Sequence, residues 1–151
     1  ATKHYIQCTF EEGIKPKDLG QIFVVIGPGS FTGVRIAVTI AKTMAYTLNI
    51  PIKTIDSLNI KAICCNEDKD FYVSVTEKNG AYVGKFSKDG NKLEDYSYYS
   101  KSEYANFLKN NEVKDVEEID YEKVIDFMEM VKTTKPHSVK PLYVKRIEAL
   151  K

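Results

Sequence analysis

The sequence predicts an α/β fold in which a parallel βαβ unit is followed by a smaller α+β part with an antiparallel meander. Three observations support this prediction. Residues 21–48 read as a buried strand, a glycine turn and a long apolar helix, and residues 52–55 form a second short apolar run. After Asp70 the chain alternates, with hairpin signals at Asn79-Gly80 and Asp89-Gly90. Strands separated by a helix pair in parallel, whereas strands joined by tight turns pair antiparallel.

The segment QIFVVIGPGSFTGVRIAVTIAKTMAYTL, at residues 21–48, is the part of the chain around which the rest is organised. Residues 22–26 are a continuous β-branched and aromatic run, which is typical of a strand covered on both faces. The Gly27-Pro28-Gly29 turn ends that strand. The hydroxyl of Ser30 or Thr32 is then expected to cap the helix that follows.

That helix has two apolar faces. Residues at three- and four-residue steps form the first face, and Ile36 and Ile40 extend the apolar surface to a second side. The first face consists of Val34, Ala37, Val38, Ala41, Met44, Ala45 and Leu48. A helix that is apolar over more than half its circumference needs cover beyond one sheet, from its own chain or from a second chain.

The remaining elements are predicted from turn and capping signals. Asp56 and Ser57 should cap a helix that runs towards Cys65, and Ser102 should cap another. Further strands are expected at residues 71–76, 82–86, 93–99, 113–116 and 142–146, and further helices at residues 102–109 and 121–132. This order predicts a first lobe at residues 1–69 and a second α+β lobe, with a C-terminal return segment, at residues 70–151.

Composition limits the function. With 151 residues and a formal net charge of +1, the chain is one domain, or one and a small appendage, and has no global field that recruits nucleic acid. No apolar run approaches a membrane span and no signal peptide is recognisable, so a cytoplasmic location is expected. Cys8, Cys64 and Cys65 are an odd set, which favours reduced thiols.

The segment GPGSFTGVRIAVTIAKTMA resembles the GPGSFTGVRIG…AKGLA signature of the bacterial TsaB (YeaZ) family. Residues 27–35 match it residue for residue, Ala37 replaces the usual glycine, and weaker agreement runs through residues 11–22, 49–62 and 141–149. Family members are scaffold subunits of the machinery that places a threonylcarbamoyl group on the adenosine next to the tRNA anticodon. The resemblance implies an actin-like, ribonuclease-H-like first lobe. That lobe is expected to be incomplete, because the family's N-terminal β-hairpin is not recognisable.

The resemblance also implies a non-catalytic subunit that binds and organises a catalytic TsaD-like relative. No cofactor, metal or membrane contact is expected. In the family, the helix after the glycine turn joins a helical bundle with that relative. The interface expected from this comprises Val34, Ile36, Ala37, Val38, Ile40, Ala41 and Met44. A TsaE-like ATPase and a second copy of the chain are further expected partners, and tRNA is expected only through the complex.

The glycine turn supports an alternative function. Free N–H groups and the helix dipole at a helix start favour an anion. The candidate phosphate-binding residues are Gly27, Gly29, Ser30, Thr32, Gly33 and Arg35. The turn lacks the lysine of a P-loop, and a tight turn that allows close helix packing explains the same residues. A nucleotide-binding enzyme of the sugar-kinase-like superfamily is therefore the alternative.

Other chemistry has weaker support. His4 and His137 are the only histidines and form no metal-binding spacing, and Ser30 lacks the flanks of a nucleophile elbow. Asp56 ends a strand of the βαβ unit, where active-site carboxylates often lie, but helix capping is the expected role. The C-terminal stretch from Lys132 is basic and follows an acidic run. This stretch either contacts nucleic acid or is a solvated face.

Overall fold

The computed structural model of this chain describes residues 13–144. In chain order its elements are β1 (Ile22–Val25), α1 (Phe31–Leu48), β2 (Ile52–Ile55), α2 (Ser57–Cys64), β3 (Phe71–Glu77), β4 (Gly80–Phe86), β5 (Ser97–Ser100), α3 (Lys101–Asn110), β6 (Val113–Lys114) and α4 (Tyr121–Met130), with 3₁₀ turns at Pro16–Asp18 and Pro136–Ser138. One sheet contains β1 and β2, and the other has the order β5-β4-β3-β6. The predicted α/β class is confirmed.

The parallel sheet and its helix form the βαβ unit that the sequence predicts. β1 and β2 run parallel, with Ile22 opposite Ile52, and α1 lies between them in the chain. Part of the first apolar face of α1 packs on this sheet, through Val38, Ala41 and Ala45. The core formed there contains Val24, Val38, Ala41, Ala45, Ile52 and Val139. Asn49 ends α1 with a φ of 53°, a left-handed conformation that asparagine adopts more readily than most residues.

The second sheet contains the predicted meander. β3, β4 and β5 are antiparallel neighbours, and β6 lies parallel to β3 at the other side. α2 packs on one face of this sheet, in a core of Leu58, Ala62, Phe71, Val73, Tyr82 and Phe86. α3 covers the opposite face, where the Phe107 ring lies 5.1 Å from the ring centroids of both Tyr72 and Tyr99. Each sheet thus has its own core, and the division into two lobes stays a prediction.

One polar group connects the two sheets. The Asp56 carboxylate, between β2 and α2, accepts a hydrogen bond from the Asn59 N–H at 2.7 Å and caps α2. It also accepts one from the Tyr96 hydroxyl at 2.8 Å, just before β5. The Lys92 ammonium lies 4.3 Å from the centroid of the Tyr96 ring. Tyr96 is therefore held by a hydrogen bond at its hydroxyl and by a cation–π contact with its ring.

The segment after α4 returns to the parallel sheet. The Thr134 N–H donates to the Ile52 carbonyl at 2.8 Å, and the Leu142 N–H donates to the Ile26 carbonyl at 2.8 Å. From β2, the buried Lys53 ammonium donates to the Met128 carbonyl at 2.8 Å. A cation at this position stabilises the C-terminal end of α4, because the last carbonyls of a helix carry partial negative charge.

The predicted start of the third meander strand and the predicted cap of α3 were wrong. The third meander strand begins at Ser97 rather than near residue 93, because only an isolated bridge joins Lys92 to Phe86, and residues 94–96 then leave the sheet as Tyr96 reaches Asp56. The hydroxyl that caps α3 belongs to Ser100, not Ser102, and accepts from the Glu103 N–H at 3.3 Å. Tyr96 bonds to Asp56 instead of joining the strand, and Ser100 caps α3 instead of Ser102, although the local sequence favours the other outcome in each case.

The later boundaries also differ. β6 stops at Lys114, because the Asp115 carboxylate takes the Val116 N–H at 2.8 Å. α4 ends at Met130, since Val131 is extended with a ψ of 137°. Residues 142–144 form no strand, and the rest of the strand predicted at 142–146 lies outside the described residues.

We predict that Gly84→Ala destabilises the chain by about 1–3 kcal/mol, as overpacking typically does. A Cβ at this position would lie 2.7 Å from Cε1 and 2.8 Å from Cδ1 of Tyr96, whose ring is held by Asp56 and Lys92. Gly20→Ala is the matched control, since a Cβ there meets no atom within 4 Å. Urea unfolding measures both variants. Equal midpoints for Gly84→Ala and the wild type would contradict the tight packing.

Candidate functional site

α1 uses three of the predicted interface residues for its own fold. Val38 and Ala41 are buried in the core with β1 and β2. Val34 packs against the same core and over Gly27, where an added Cβ would lie 3.3 Å from Val34 Cγ2. These side chains are unavailable to a partner, because intramolecular packing already occupies them.

The opposite side of α1 faces outward. Ile36 is 51% exposed and Ile40 is partly exposed, so both isoleucines lie on a face that the described part of the chain leaves open. They line a shallow groove of about 320 Å³ with Thr32, Arg35 and Thr39. Apart from Arg35 this surface is uncharged. Such a surface resembles the centre of a protein interface, where charged residues are depleted.

Ala37 and Met44 lie on a third side of α1. With Ile40 they face β1 across a groove of about 460 Å³. The other lining residues are Leu19, Gln21, Ile22, Phe23, Val24, Val25 and Ala41. Within residues 13–144, β1 pairs with β2 alone, so the groove follows a strand edge. The seven predicted interface residues therefore point in three directions rather than forming one face.

The six predicted residues of the glycine turn lie together at the N-terminus of α1. Gly27 has a φ of 94°, a conformation that favours glycine, and its carbonyl accepts from the Ser57 N–H at 2.8 Å. Ser30, rather than Thr32, caps α1, and its hydroxyl accepts from the Gly33 N–H at 3.3 Å. The turn thereby joins β1, α1 and the start of α2.

Two aromatic rings beside the turn were missed by sequence reasoning. The Arg35 guanidinium lies 5.1 Å from the centroid of the Phe31 ring, and that ring lies 5.7 Å from the Tyr143 ring. The cation expected to pair with a phosphate therefore lies over an aromatic face. Phe31 stands inside the matched motif and Tyr143 in the weaker C-terminal agreement, but no local pattern links them. Anion binding at the turn stays a prediction.

Asp56 is engaged in structure rather than free for catalysis. Burial raises the pKa of its carboxyl group and outweighs the hydrogen bonds from Asn59 and Tyr96, which act in the opposite direction. Burial and the nearby Asp56 charge likewise raise the pKa of the Tyr96 hydroxyl. Keeping this carboxylate ionised therefore costs free energy, which the hydrogen bonds to both of its oxygens partly offset.

The remaining candidates for catalysis or metal binding among the described residues also lack activating features. Cys64 and Cys65 are unpaired and half-buried, and burial raises the pKa of the Cys65 thiol, which lowers its reactivity. Among residues 13–144, no group of three His, Cys, Asp or Glu side chains is arranged to hold a metal ion. The helices in that range are each too short or too polar to cross a membrane. The expectations of no metal and no cofactor stay predictions.

Comparisons with known proteins place the chain among tRNA-modification proteins. The family model for TsaD, tRNA N6-adenosine threonylcarbamoyltransferase, matches residues 3–140. The TsaB protein of Bacillus subtilis (strain 168), named for tRNA threonylcarbamoyladenosine biosynthesis, is 57% identical over 47 residues, which cover 31% of this chain and 20% of that protein. The TsaB protein of Buchnera aphidicola subsp. Schizaphis graminum (strain Sg) is 32% identical over 103 residues, covering 66% of this chain and 47% of that protein.

The matched segments thus span less than half the length of these curated relatives. A crystal structure described as an uncharacterized protein with similarity to peptidase YeaZ, from Pseudomonas aeruginosa, is similar with a TM-score of 0.70. It is 14% identical, and the superposition covers 93% of this chain and 81% of that one. At this identity the likeness shows a shared fold.

We predict that Asp56→Asn gains stability relative to the wild type as pH rises from about 3.9, the ordinary aspartate pKa. The raised pKa means that the folded wild type binds the Asp56 proton more tightly than the unfolded chain. The wild type's free energy of unfolding therefore falls as pH rises from the ordinary aspartate pKa through the raised pKa of the folded state, and then levels off. Asparagine still caps α2 but does not titrate. Urea unfolding across pH 3.5 to 8 measures the difference.

Asp89→Asn, at an exposed turn position, controls for the loss of one carboxylate. A stability difference between Asp56→Asn and the wild type that stays constant with pH would contradict the buried-carboxylate assignment.

Proposed function

This chain belongs to the tRNA threonylcarbamoyladenosine biosynthesis family that includes TsaB, YeaZ and TsaD. We propose that it is a non-catalytic subunit that binds and organises a catalytic TsaD-like relative for threonylcarbamoyl transfer to tRNA. The observation that carries the proposal is the outward face of α1, where Ile36 is exposed and Ile40 is partly exposed in a nearly uncharged surface. This face is defined by Thr32, Ile36, Thr39 and Ile40.

The outward face of α1 has the features of an interface centre. Burying exposed aliphatic side chains is favourable by about 25 cal/mol for each Å² removed from water. The threonines offer hydroxyl groups around the isoleucines, and Arg35 lies at the border as a polar rim residue. The helix is already fixed by its inner face, so little conformational entropy is lost when a partner binds.

A non-catalytic role is supported by how the chain uses its reactive groups. Asp56 caps α2 and accepts from Tyr96, and the Cys65 thiol is half-buried. The catalytic relative in this machinery uses paired histidines at helical spacing, whereas His4 and His137 are far apart in the sequence. The matching family model is named for the transferase, but it also matches this chain, whose given sequence lacks the histidine pair.

Two further partners follow from the resemblance, and one of them would use the same face. A second copy of the chain could use the outward face of α1 through a two-fold axis, since such an interface pairs a surface with itself. A TsaE-like ATPase would join the assembly in addition to the TsaD-like relative. We propose the TsaD-like relative as the principal partner and the homodimer as the state of the isolated chain.

We predict that Ile36→Glu weakens binding to the TsaD-like relative from the same source by at least about tenfold, because it buries an unpaired charge. Leu108→Glu on α3 is the matched control, since Leu108 is 46% exposed and Ile36 is 51% exposed. Size-exclusion chromatography with light scattering detects the complex, and circular dichroism checks folding. No complex with the wild-type chain would reject the subunit proposal. An intact complex with Ile36→Glu would remove this face from the interface.

The nucleotide-binding alternative draws on the six turn residues that lie together at the start of α1. Calorimetric titration with ATP tests it. Micromolar binding that Arg35→Gln weakens would favour the alternative, because a charge-assisted contact to phosphate would have been lost. Our proposal expects the wild type and Arg35→Gln to give the same titration.

A further inference from the structure

The segment after α4 carries positive charge without local compensation. Between residues 130 and 147 the sequence has five Lys or Arg residues and no Asp or Glu. Within the described residues, Lys132, Lys135 and Lys140 are all exposed, and none belongs to an ion pair found there. We call residues 131–144 the basic strap.

The backbone of the basic strap is held at three points. It forms hydrogen bonds to β2 through Thr134 and to the end of β1 through Leu142, both at 2.8 Å. Between them, Val139 is buried in the core with α1. The three lysines are therefore displayed from a positioned backbone across the parallel sheet, unlike those of a charged tail.

The strap ends at exposed aromatic rings. Tyr143 is 52% exposed and Phe31 is 45% exposed, with ring centroids 5.7 Å apart. The Arg35 guanidinium lies 5.1 Å from the Phe31 centroid, at the positive end of the α1 dipole. Proteins that bind single-stranded nucleic acid combine a cationic track with aromatic rings on which bases stack. Here the basic strap carries both features, since the exposed Lys140 lies three residues before Tyr143.

We propose that the basic strap, together with Phe31 and Arg35, is a binding surface for RNA with unpaired bases. Lys132, Lys135 and Lys140 contact backbone phosphates, and an unpaired base stacks on the Tyr143–Phe31 pair. The acidic run at residues 112–129 precedes the strap in the sequence, so the positive charge of this part of the chain is concentrated in the strap. This goes beyond the proposed function, which assigns no RNA contact to the chain itself.

The test uses the 151-residue chain alone, without a TsaD-like relative, so its outcome is independent of partner binding. A fluorescently labelled RNA stem-loop is titrated at several salt concentrations and followed by anisotropy. We expect the triple variant Lys132→Gln, Lys135→Gln, Lys140→Gln to bind at least about tenfold more weakly near 0.1 M salt. The slope of log affinity against log salt should fall by about 2, because each single-strand phosphate contact contributes about 0.7.

The matched control is Lys78→Gln, Lys88→Gln, Lys109→Gln, which removes the same charge from exposed positions outside the strap. It should bind like the wild type. Equal losses in the two triple variants would overturn the proposal, since net charge alone would explain binding. No binding by the folded wild type would also overturn it, as would equal competition by polyglutamate, which would indicate an acidic protein partner instead.

Tyr143→Leu separates stacking from charge. It keeps an apolar side chain but removes the ring, so we expect about tenfold weaker binding to the stem-loop, within the usual range for one lost base–aromatic stack. Binding to a fully double-stranded RNA of equal length should not change. A loss of the same size with the duplex would overturn the stacking assignment.

Discussion

Val38, Ala41 and Ala45 bring α1 close to β1 and β2, and the positions of the other functional groups follow from that contact. Small side chains on the inner face allow the helix backbone to approach the sheet, and Val34 closes the same face over Gly27. Once this face is inside, Ile36 must point outward, because side chains of a helix are distributed around 3.6 residues per turn. The glycine turn and its Ser30 cap determine where the helix begins.

The segment after α4, which contains the basic strap, also stabilises the parallel sheet. By adding Thr134 beside β2 and Leu142 beside the end of β1, it covers a two-stranded sheet that would be too small to be stable by itself. The same hydrogen bonds hold the basic strap in place. Arg35 borders the outward face of α1 and lies over Phe31, whose ring contacts Tyr143 of the strap. A subunit built this way would engage a protein partner through α1 and RNA through the strap.

Asp56 shows how a residue at a suggestive position is used for architecture. It follows a parallel strand, as many catalytic carboxylates do, yet its two oxygens accept from Asn59 and Tyr96. Burial raises its pKa, so the ionised carboxylate opposes folding while its hydrogen bonds favour it. The Tyr96 ring in turn requires Gly84 beneath it. These contacts tie the βαβ unit to the meander.

The sequence by itself determined the α/β class, the βαβ unit, the family signature and the hairpin between β3 and β4, although its turn lies at Lys78-Asn79 rather than at Asn79-Gly80. These depend on local signals, namely hydrophobic period, glycine turns and capping hydroxyls, that neighbouring residues encode. Tertiary structure alone decided that the seven predicted interface residues point in three directions, that Tyr96 leaves the meander for Asp56, and that Phe31 meets Tyr143. The reason is physical: each outcome depends on a partner remote in the chain, and local periodicity carries no information about remote partners.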